Sequence, residues 1–277
     1  MQGDKGMPEN EGGIRVQKVL AIRGGISRRK ADALVQAGKV RLPDGRLLKT
    51  GDKIDPKSIL WVEGRPLERL GIEKFYFAFY KPKGVVSTFE PSKEHATLAK
   101  SFPVKVPHLF SVGRLDAIAE GLLLVTNDGE FANRVSHPRY GIPKEYLVKV
   151  QGKLDPGALQ AALQGVWDAG ELLKPSSVSV ISEARKNQWL RVVMREGKYH
   201  EVRRLFGHQG YFVLKIKRVR VGPVMLGALQ PGQARPLSTK EVRGLLSPSL
   251  AESGAIPSPK ERSLRRHQKA SPLKALS

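Results

Sequence analysis

The chain has 277 residues, with 48 Lys+Arg against 26 Asp+Glu and a formal net charge of +22. That excess points to a polyanionic partner, nucleic acid first, and the absence of cysteine excludes disulfides, thiolate catalysis and Cys-ligated zinc. Apolar runs such as "FYFAFY" (Phe75 to Tyr80) are too short to cross a bilayer, and the opening "MQGDKGMPENEGG" lacks the features of a signal or transit peptide, so a cytoplasmic protein is expected.

Residues 1–13 read as disordered. Residues 14–68 read as a compact basic unit. In "IRVQKVLAIRGG", Val16, Val19 and Leu20 recur at helical spacing and the pattern stops at Gly24. In "SRRKADALVQAGK", Ser27 is placed to cap a second helix. Ala31, Leu34 and Val35 share one face, and Gly38 ends it. "VRLPDGRLLKTGDKI" predicts a hairpin around Asp44-Gly45, and "ILWVEGRPL" a strand after it. Residues 69–73 form a linker.

Residues 74–247 read as a mixed α+β domain with many strands. "KEYLVKVQG", "QWLRVVMREG" and "FVLKIKRVRVG" are β-rich, and "LLLV" (Leu122 to Val125) reads as a buried strand. "EFANRVSHP" and "KLDPGALQAALQGVW" predict helices. Residues 248–277 combine Ser-Pro pairs with Lys260, Arg262, Arg265, Arg266, Lys269 and Lys274. Such a composition cannot bury a core, so a disordered basic tail is expected.

The placement of charge carries information of its own. Arg15 and Lys18 sit on the first helix, and Arg28, Arg29 and Lys30 in the first turn of the second. Cations at a helix N-terminus oppose the macrodipole, so helix stability does not explain them. Phosphate contact does, and the competing reading is an ordinary solvated face. In "FVLKIKRVRVG", Leu214 and Ile216 share one strand face with Lys215 and Lys217 on the other. The alternation then flips, with Val219 and Val221 apolar. A bulge near 217–218 explains the flip and aims Arg218 and Arg220 at a cleft where they hold phosphates. The alternative is a solvated basic edge strand.

"GRLDAIAEGLLLVTNDG" sets Asp116 two residues after Arg114, in a loop against an apolar strand. A carboxylate there needs a partner, because burying an unpaired charge is costly. A structural Asp–Arg pair or a turn cap satisfies that need as well as a reactive group does. His137, His200 and His208 lack a carboxylate cluster at ligand spacing, so no metal site is expected.

Two resemblances extend this reading. "RVQKVLAIRGGISRRKADALVQAGKVRL" resembles the small RNA-binding domain named after ribosomal protein S-four, which implies recognition of structured RNA through backbone and shape. "VGRLDAIAEGLLLVTNDGEFANRVSHPRYGIPKEYLVKV" resembles the active-site region of pseudouridine synthases, in the branch that modifies ribosomal RNA. "KPKGVVST" resembles the first motif of that family, and "EGKYHEVRRLFGHQG" with "LKIKRVRVGPVMLGALQPGQARPLS" its late motifs. The resemblance implies an α+β fold. A small α/β RNA-binding domain would precede a mixed, mainly antiparallel sheet flanked by helices.

It also implies roles. Asp116 is the nucleophile or base, Tyr146 packs on the target base, and Arg203 pairs with Asp116, with Arg204 as the neighbouring alternative. On spacing alone Tyr146 reads equally as a core aromatic. Arg114 orients the loop or a phosphate, and Lys83 joins Arg204, Arg218 and Arg220 as an RNA contact. The reaction is an isomerisation, so no cofactor is implied. Two positions depart from the family pattern: Ala119 stands where Thr or Ser is usual, and Glu201 where Gln is frequent. "GKYH" is closer to small-subunit enzymes, "VRRLF" and the basic tail to large-subunit ones. The implied partner is ribosomal RNA, large-subunit ahead of small-subunit, and a monomer is expected. The competing functions are a non-catalytic ribosome-assembly protein and a DNA-binding regulator.

Overall fold

The computed structural model describes residues 13–67 and 73–247. The expected disordered start (1–13) except residue 13, the expected linker (69–73) except residue 73, and the basic tail (248–277) lie outside the described residues. Two units separate. One holds the described residues up to Phe75 with Lys105–Phe110 and Thr126–Gly129. The other holds Tyr76–Val104, Ser111–Val125 and the described chain from Glu130.

In the first unit, strand β1 (Ile14–Arg15) runs into helix α1 (Val16–Gly24), and α2 (Arg28–Gln36) follows. Gly25 makes the turn between them in the left-handed conformation, and Ser27 Oγ caps α2 by accepting from the Lys30 amide at 3.2 Å. Short strands complete the unit: β2 (Val40–Arg41), β3 (Lys53–Ile54), β4 (Trp61–Val62) and β5 (Arg65–Pro66). β1 pairs with β3, and β2, β4 and β5 form one sheet. Val16, Val19, Leu20, Ala31, Val35, Leu48 and Leu60 make the core. The Asp44-Gly45 turn is present, with the Arg46 amide donating to Asp44 Oδ1 at 2.9 Å. "ILWVEGRPL" is not one strand. Glu63 and Gly64 both take positive φ (52° and 79°) and fold it into a β4–β5 hairpin.

The second unit begins with β6 (Tyr76–Lys81), β7 (Val85–Val86), β8 (Ala96–Thr97), α3 (Leu98–Ser101), β9 (Phe110–Val112), β10 (Glu120–Thr126) and α4 (Gly129–Ser136), of which the end residues Phe110, Thr126 and Gly129 group with the first. Next come β11 (Lys144–Gln151), α5 (Pro156–Gln164) and a hairpin of β12 (Val166–Asp168) and β13 (Glu171–Leu173). The long strands β14 (Ser177–Ala184) and β15 (Asn187–Met194) precede α6 (Glu201–Gly207) and β16 (Val213–Val221). The unit ends with β17 (Val224–Met225), β18 (Ala234–Pro236) and α7 (Thr239–Leu246). The main sheet runs β14-β15-β11-β16-β10-β6-β18, with β9 on β10 and β17 on β16. Antiparallel pairing predominates, and β10 with β16 is a parallel exception. The mixed, mainly antiparallel α+β fold expected from the resemblance is what the chain forms.

Both faces of this sheet are covered around β6. Phe77 and Phe79 meet Phe102 edge to face at 5.5 and 5.2 Å. Ala78 and Tyr80 join Leu122, Leu124, Phe131 and Leu245 in the core on the other side. Burial on both faces is why this strand reads as an unbroken apolar run without alternation.

β16 is interior, which sets aside the edge-strand reading. Its pairing with β11 slips between Glu145↔Arg220 and Tyr146↔Arg218, so the extra residue is Val219, one position beyond the expected bulge. A second slip near Val213 leaves Leu214 exposed while Ile216 is buried. On its other side β16 meets β10 so closely that a Cβ on Gly121 would lie 2.2 Å from the Arg218 carbonyl oxygen, at a φ of +108°. Gly121→Ala should therefore cost at least ~1–3 kcal/mol of stability. Urea unfolding should show a lower midpoint, and an unshifted midpoint would mean that the contact relaxes freely.

Candidate active site

Asp116 lies in the loop between β9 and β10, and the first family-like segment holds that loop from beneath. Lys81, fully buried at the end of β6, donates through Nζ to the carbonyls of Pro82 (2.9 Å), Val85 (2.7 Å) and Ala117 (3.5 Å). The Gly84 amide donates to the same Ala117 oxygen at 2.6 Å. Ser87 Oγ donates to the Leu115 carbonyl (2.7 Å) and accepts from the Leu115 amide (3.1 Å). The residues on both sides of Asp116 are thus fixed by side chains and backbone of Lys81–Ser87. Burial pushes the Lys81 ammonium down to about 8, and the neighbouring Asp116 charge opposes that fall.

Asp116 opens onto a cavity of about 110 Å³, room for a few waters or one small planar ring. Tyr146 on β11 and Arg218 on β16 form one wall, together with Lys144 and Ile216. Gly113, Arg114 and Ser136 form another, and Lys198, His200 and Glu201 a third. Arg218 is buried and donates through Nε to the Leu122 carbonyl at 2.7 Å. Its guanidinium carbon lies 6.0 Å from the Tyr146 ring centre. Lys144 Nζ donates to the carbonyls of Ile142 (3.2 Å) and Arg195 (3.4 Å), and burial followed by the Arg218 charge pushes it down to about 8. Burial followed by the Glu196 charge pushes the Glu201 carboxyl up to about 7. The side chain facing the Asp116 carboxylate is His200, with Nε2 3.4 Å from Oδ1. Cations outnumber carboxylates around the cavity, which suits an anionic ligand.

The expected site residues separate under this geometry. Asp116, Tyr146, Arg114 and Arg218 line the same cavity. Arg203 does not reach Asp116: its Nη1 donates to the Val213 carbonyl at 3.2 Å. The guanidinium that faces Tyr146 belongs to Arg218. Arg204 is a structural clamp, bound to the carboxylate of Asp168 and, at 2.6 Å, to Glu171. Arg220 is buried against Glu145 at 3.4 Å, and Glu145 also meets Arg191 at 3.3 Å. Arg204 and Arg220 are therefore committed to internal carboxylates, not presented to phosphates. Lys83 is exposed, as are Arg15, Arg28, Arg29 and Lys30 in the first unit, with Lys18 half-buried. Ala119 is buried, and its amide closes the loop by donating to the Asp116 carbonyl at 3.0 Å.

Residue reading missed Lys81 and Lys144 as site-forming groups. A lone lysine ending the apolar run "FYFAFYK" was the available signal for the first. A larger cavity of about 440 Å³ lies in the first unit beside Arg41 and Trp61. Its one carboxylate, Glu63, is paired with Lys39 at 2.7 Å, so it offers no free acid for chemistry.

The family profile described as RNA pseudouridylate synthase matches residues 75–208. A chain of Aquifex aeolicus named as an uncharacterised RNA pseudouridine synthase is 37% identical over 237 residues, spanning 84% of this chain and 93% of that one. The chain belongs to the RNA pseudouridine synthase family. The ribosomal large subunit pseudouridine synthase B of Bacillus subtilis is 36% identical over 242 residues, spanning 87% of this synthase and 98% of its own length. A crystal structure of a pseudouridylate synthase aligns with a TM-score of 0.59 at 28% identity, over 84% of this chain and 99% of that one. The synthase is accordingly an isomerase, and the segment matched by the family profile contains Asp116 and Tyr146.

The buried acid makes a pH prediction. An unfolded Glu201 titrates near its ordinary value of 4.5, whereas the folded group holds its proton to about 7. Between those values the native state binds more protons than the unfolded state, so this contribution to stability is lost as pH rises. Lys81 and Lys144 act above that window, since their lowered values cost stability as pH falls from about 10.5 towards about 8. Glu201→Gln should flatten the fall in urea-unfolding free energy between pH 4.5 and 7. A variant slope parallel to the wild type would show that Glu201 ionises as in water.

Proposed function

We propose that this synthase converts a uridine of ribosomal RNA to pseudouridine, with Asp116 as the reacting carboxylate and no cofactor. The observation that carries the reading is the placement of Asp116, held on both sides, in one small cavity with Tyr146. The reaction breaks the N1–C1′ bond, turns the detached uracil and joins C5 to C1′. The C5 proton is lost and N1 gains one, so the change is redox-neutral. A carboxylate can serve by attacking C1′, attacking C6 of the base, or taking a proton from C2′. Asp116 has one oxygen near His200 and stands at the cavity wall, consistent with each of these roles. The target base leaves its stack to enter the cavity, and the Tyr146 ring replaces the lost stacking. Large-subunit RNA is the substrate favoured by the likeness to the Bacillus subtilis enzyme.

The first unit holds the RNA. Exposed Arg28, Arg29 and Lys30 lie in one helical turn, a placement suited to phosphates rather than to the helix itself. The basic tail adds charge without a folding pattern.

Two experiments test the reading. Asp116→Asn keeps the size and removes the nucleophile. It should abolish tritium release from ribosomal RNA labelled at uracil C5, while RNA affinity stays within a few-fold because phosphate contacts supply most of the binding. Substantial release by a verified variant would end the assignment. Replacing Arg28, Arg29 and Lys30 with Ala should weaken RNA binding, lower kcat/KM and reduce the salt dependence of binding by up to about three phosphate contacts. A large loss in the saturated single-turnover rate would instead assign those residues to the chemistry.

A further inference from the structure

Tyr199 is 68% exposed, although the backbone around it is tied by hydrogen bonds from Arg204 and Lys198. Its ring lies over the His200 imidazole, with centres 3.8 Å apart and planes at 22°. His200 in turn reaches Asp116. From solvent inwards the order is phenol, imidazole, carboxylate.

The chain beneath this stack is tied on each side. Arg204 Nη1 donates to the Tyr199 carbonyl at 3.2 Å, and the same guanidinium grips the β12–β13 hairpin at Asp168 and Glu171. Lys198 Nζ donates to the Leu172 carbonyl at 2.7 Å, and the Lys198 amide donates to Glu201 at 3.3 Å. His200 takes a left-handed φ of 49°, a conformation that side-chain-bearing residues rarely adopt and that persists where surroundings impose it. One face of the phenol is occupied by His200, and among the described residues Tyr199 is otherwise largely exposed. Both sequence neighbours of Tyr199 line the Asp116 cavity.

We propose that the outer face of Tyr199 is a second nucleobase subsite, which stacks the base adjoining the target uridine. The proposal rests on the function above, because a neighbouring base exists there only if a uridine enters the Asp116 cavity. Withdrawing that uridine strips its neighbour of one stacking partner. A preorganised aromatic face within one residue of the cavity restores it without loss of side-chain freedom at binding. Stacking of this kind accepts any base, since every base has a π-face. The subsite therefore fixes position on the strand and leaves the reading of sequence to other contacts.

The test uses the full-length synthase and a ribosomal RNA fragment whose target uridine has been mapped by chemical probing, labelled with tritium at uracil C5. Tyr199→Ala should raise KM roughly 5- to 150-fold, the equivalent of ~1–3 kcal/mol of stacking, with the saturated single-turnover rate near wild type. Tyr199→Phe keeps the ring and should retain both values. Phe212→Ala removes another exposed aromatic (67% exposed), away from the cavity lining, and should change neither. An abasic nucleotide on one side of the target should reproduce the KM rise in the wild type. It should add nothing to Tyr199→Ala, because the interaction is already absent. An unchanged KM in Tyr199→Ala, additive losses with both abasic RNAs, or a fall in the saturated rate alone would each overturn the subsite. If the wild type releases no tritium from any ribosomal RNA, the proposed function fails, and the subsite with it.

Discussion

The cavity beside Asp116 depends on a buried ammonium group. Lys81 lies in the sheet with full burial and three carbonyl partners, one of them in the Asp116 loop. An uncompensated charge there would cost several kcal/mol, so the carbonyls must converge on Nζ for the strand end to form at all. That requirement draws Val85 and Ala117 towards one point, and with them the loop that carries Asp116. Gly84 and Ser87 complete the same attachment. The segment "KPKGVVS" thus acts structurally on residues some thirty positions away and sets where the Asp116 carboxylate stands.

The large positive charge divides into two populations with different physics. Arg218 and Arg220 are spent inside the fold, on the Leu122 carbonyl and on Glu145, and Arg204 is spent at a partly exposed margin, on Asp168 and Glu171. They shape the cavity and the sheet around it. Arg28, Arg29, Lys30 and Lys83 are exposed, and they feed the long-range field that attracts a polyanion. Net charge alone does not distinguish the two. An arginine in a strand beside a carboxylate on the paired strand is internal cement, and Arg220 opposite Glu145 is such a case.

The same distinction explains what was legible in the sequence. Helices α4 and α5, strands β11, β15 and β16, and the Ser27 cap follow from periodicity and local hydrogen bonding, which a short window contains. Asp116 and Tyr146, which line one cavity, were singled out by the family resemblance and not by spacing. The partners of arginines were not legible, because they lie far along the chain: Asp168 is 36 residues from Arg204 and Glu171 is 33. Only strand and hairpin placement brings them together. Arg203 and Arg218 are an instructive pair. The family resemblance implied the first as the partner of Asp116, while the β11–β16 register puts the second opposite Tyr146. The Val219 bulge decides that register, and the sequence pattern located it only to within a residue or so.

The backbone strain at the cavity has a location that turn geometry does not account for. Among the described non-glycine residues with positive φ, Glu63 and Ala169 each precede a glycine that is also positive, as hairpin turns require. His200 instead precedes α6, and its conformation brings the imidazole to Asp116. What holds it is a clamp of partly exposed ion pairs, with Arg204 19%, Asp168 32% and Glu171 44% exposed. Pairs in such surroundings contribute little each, and their strength here comes from one guanidinium serving two carboxylates and two carbonyls at once. The opposite wall rests on Lys81, which no water reaches. The two sides of the cavity are therefore unequal: the Asp116 side is locked into the sheet, and the His200 side is held by groups that water can compete for. Under the proposed function, a nucleotide between them would meet the Asp116 carboxylate on one wall and the Tyr199–His200 stack on the other.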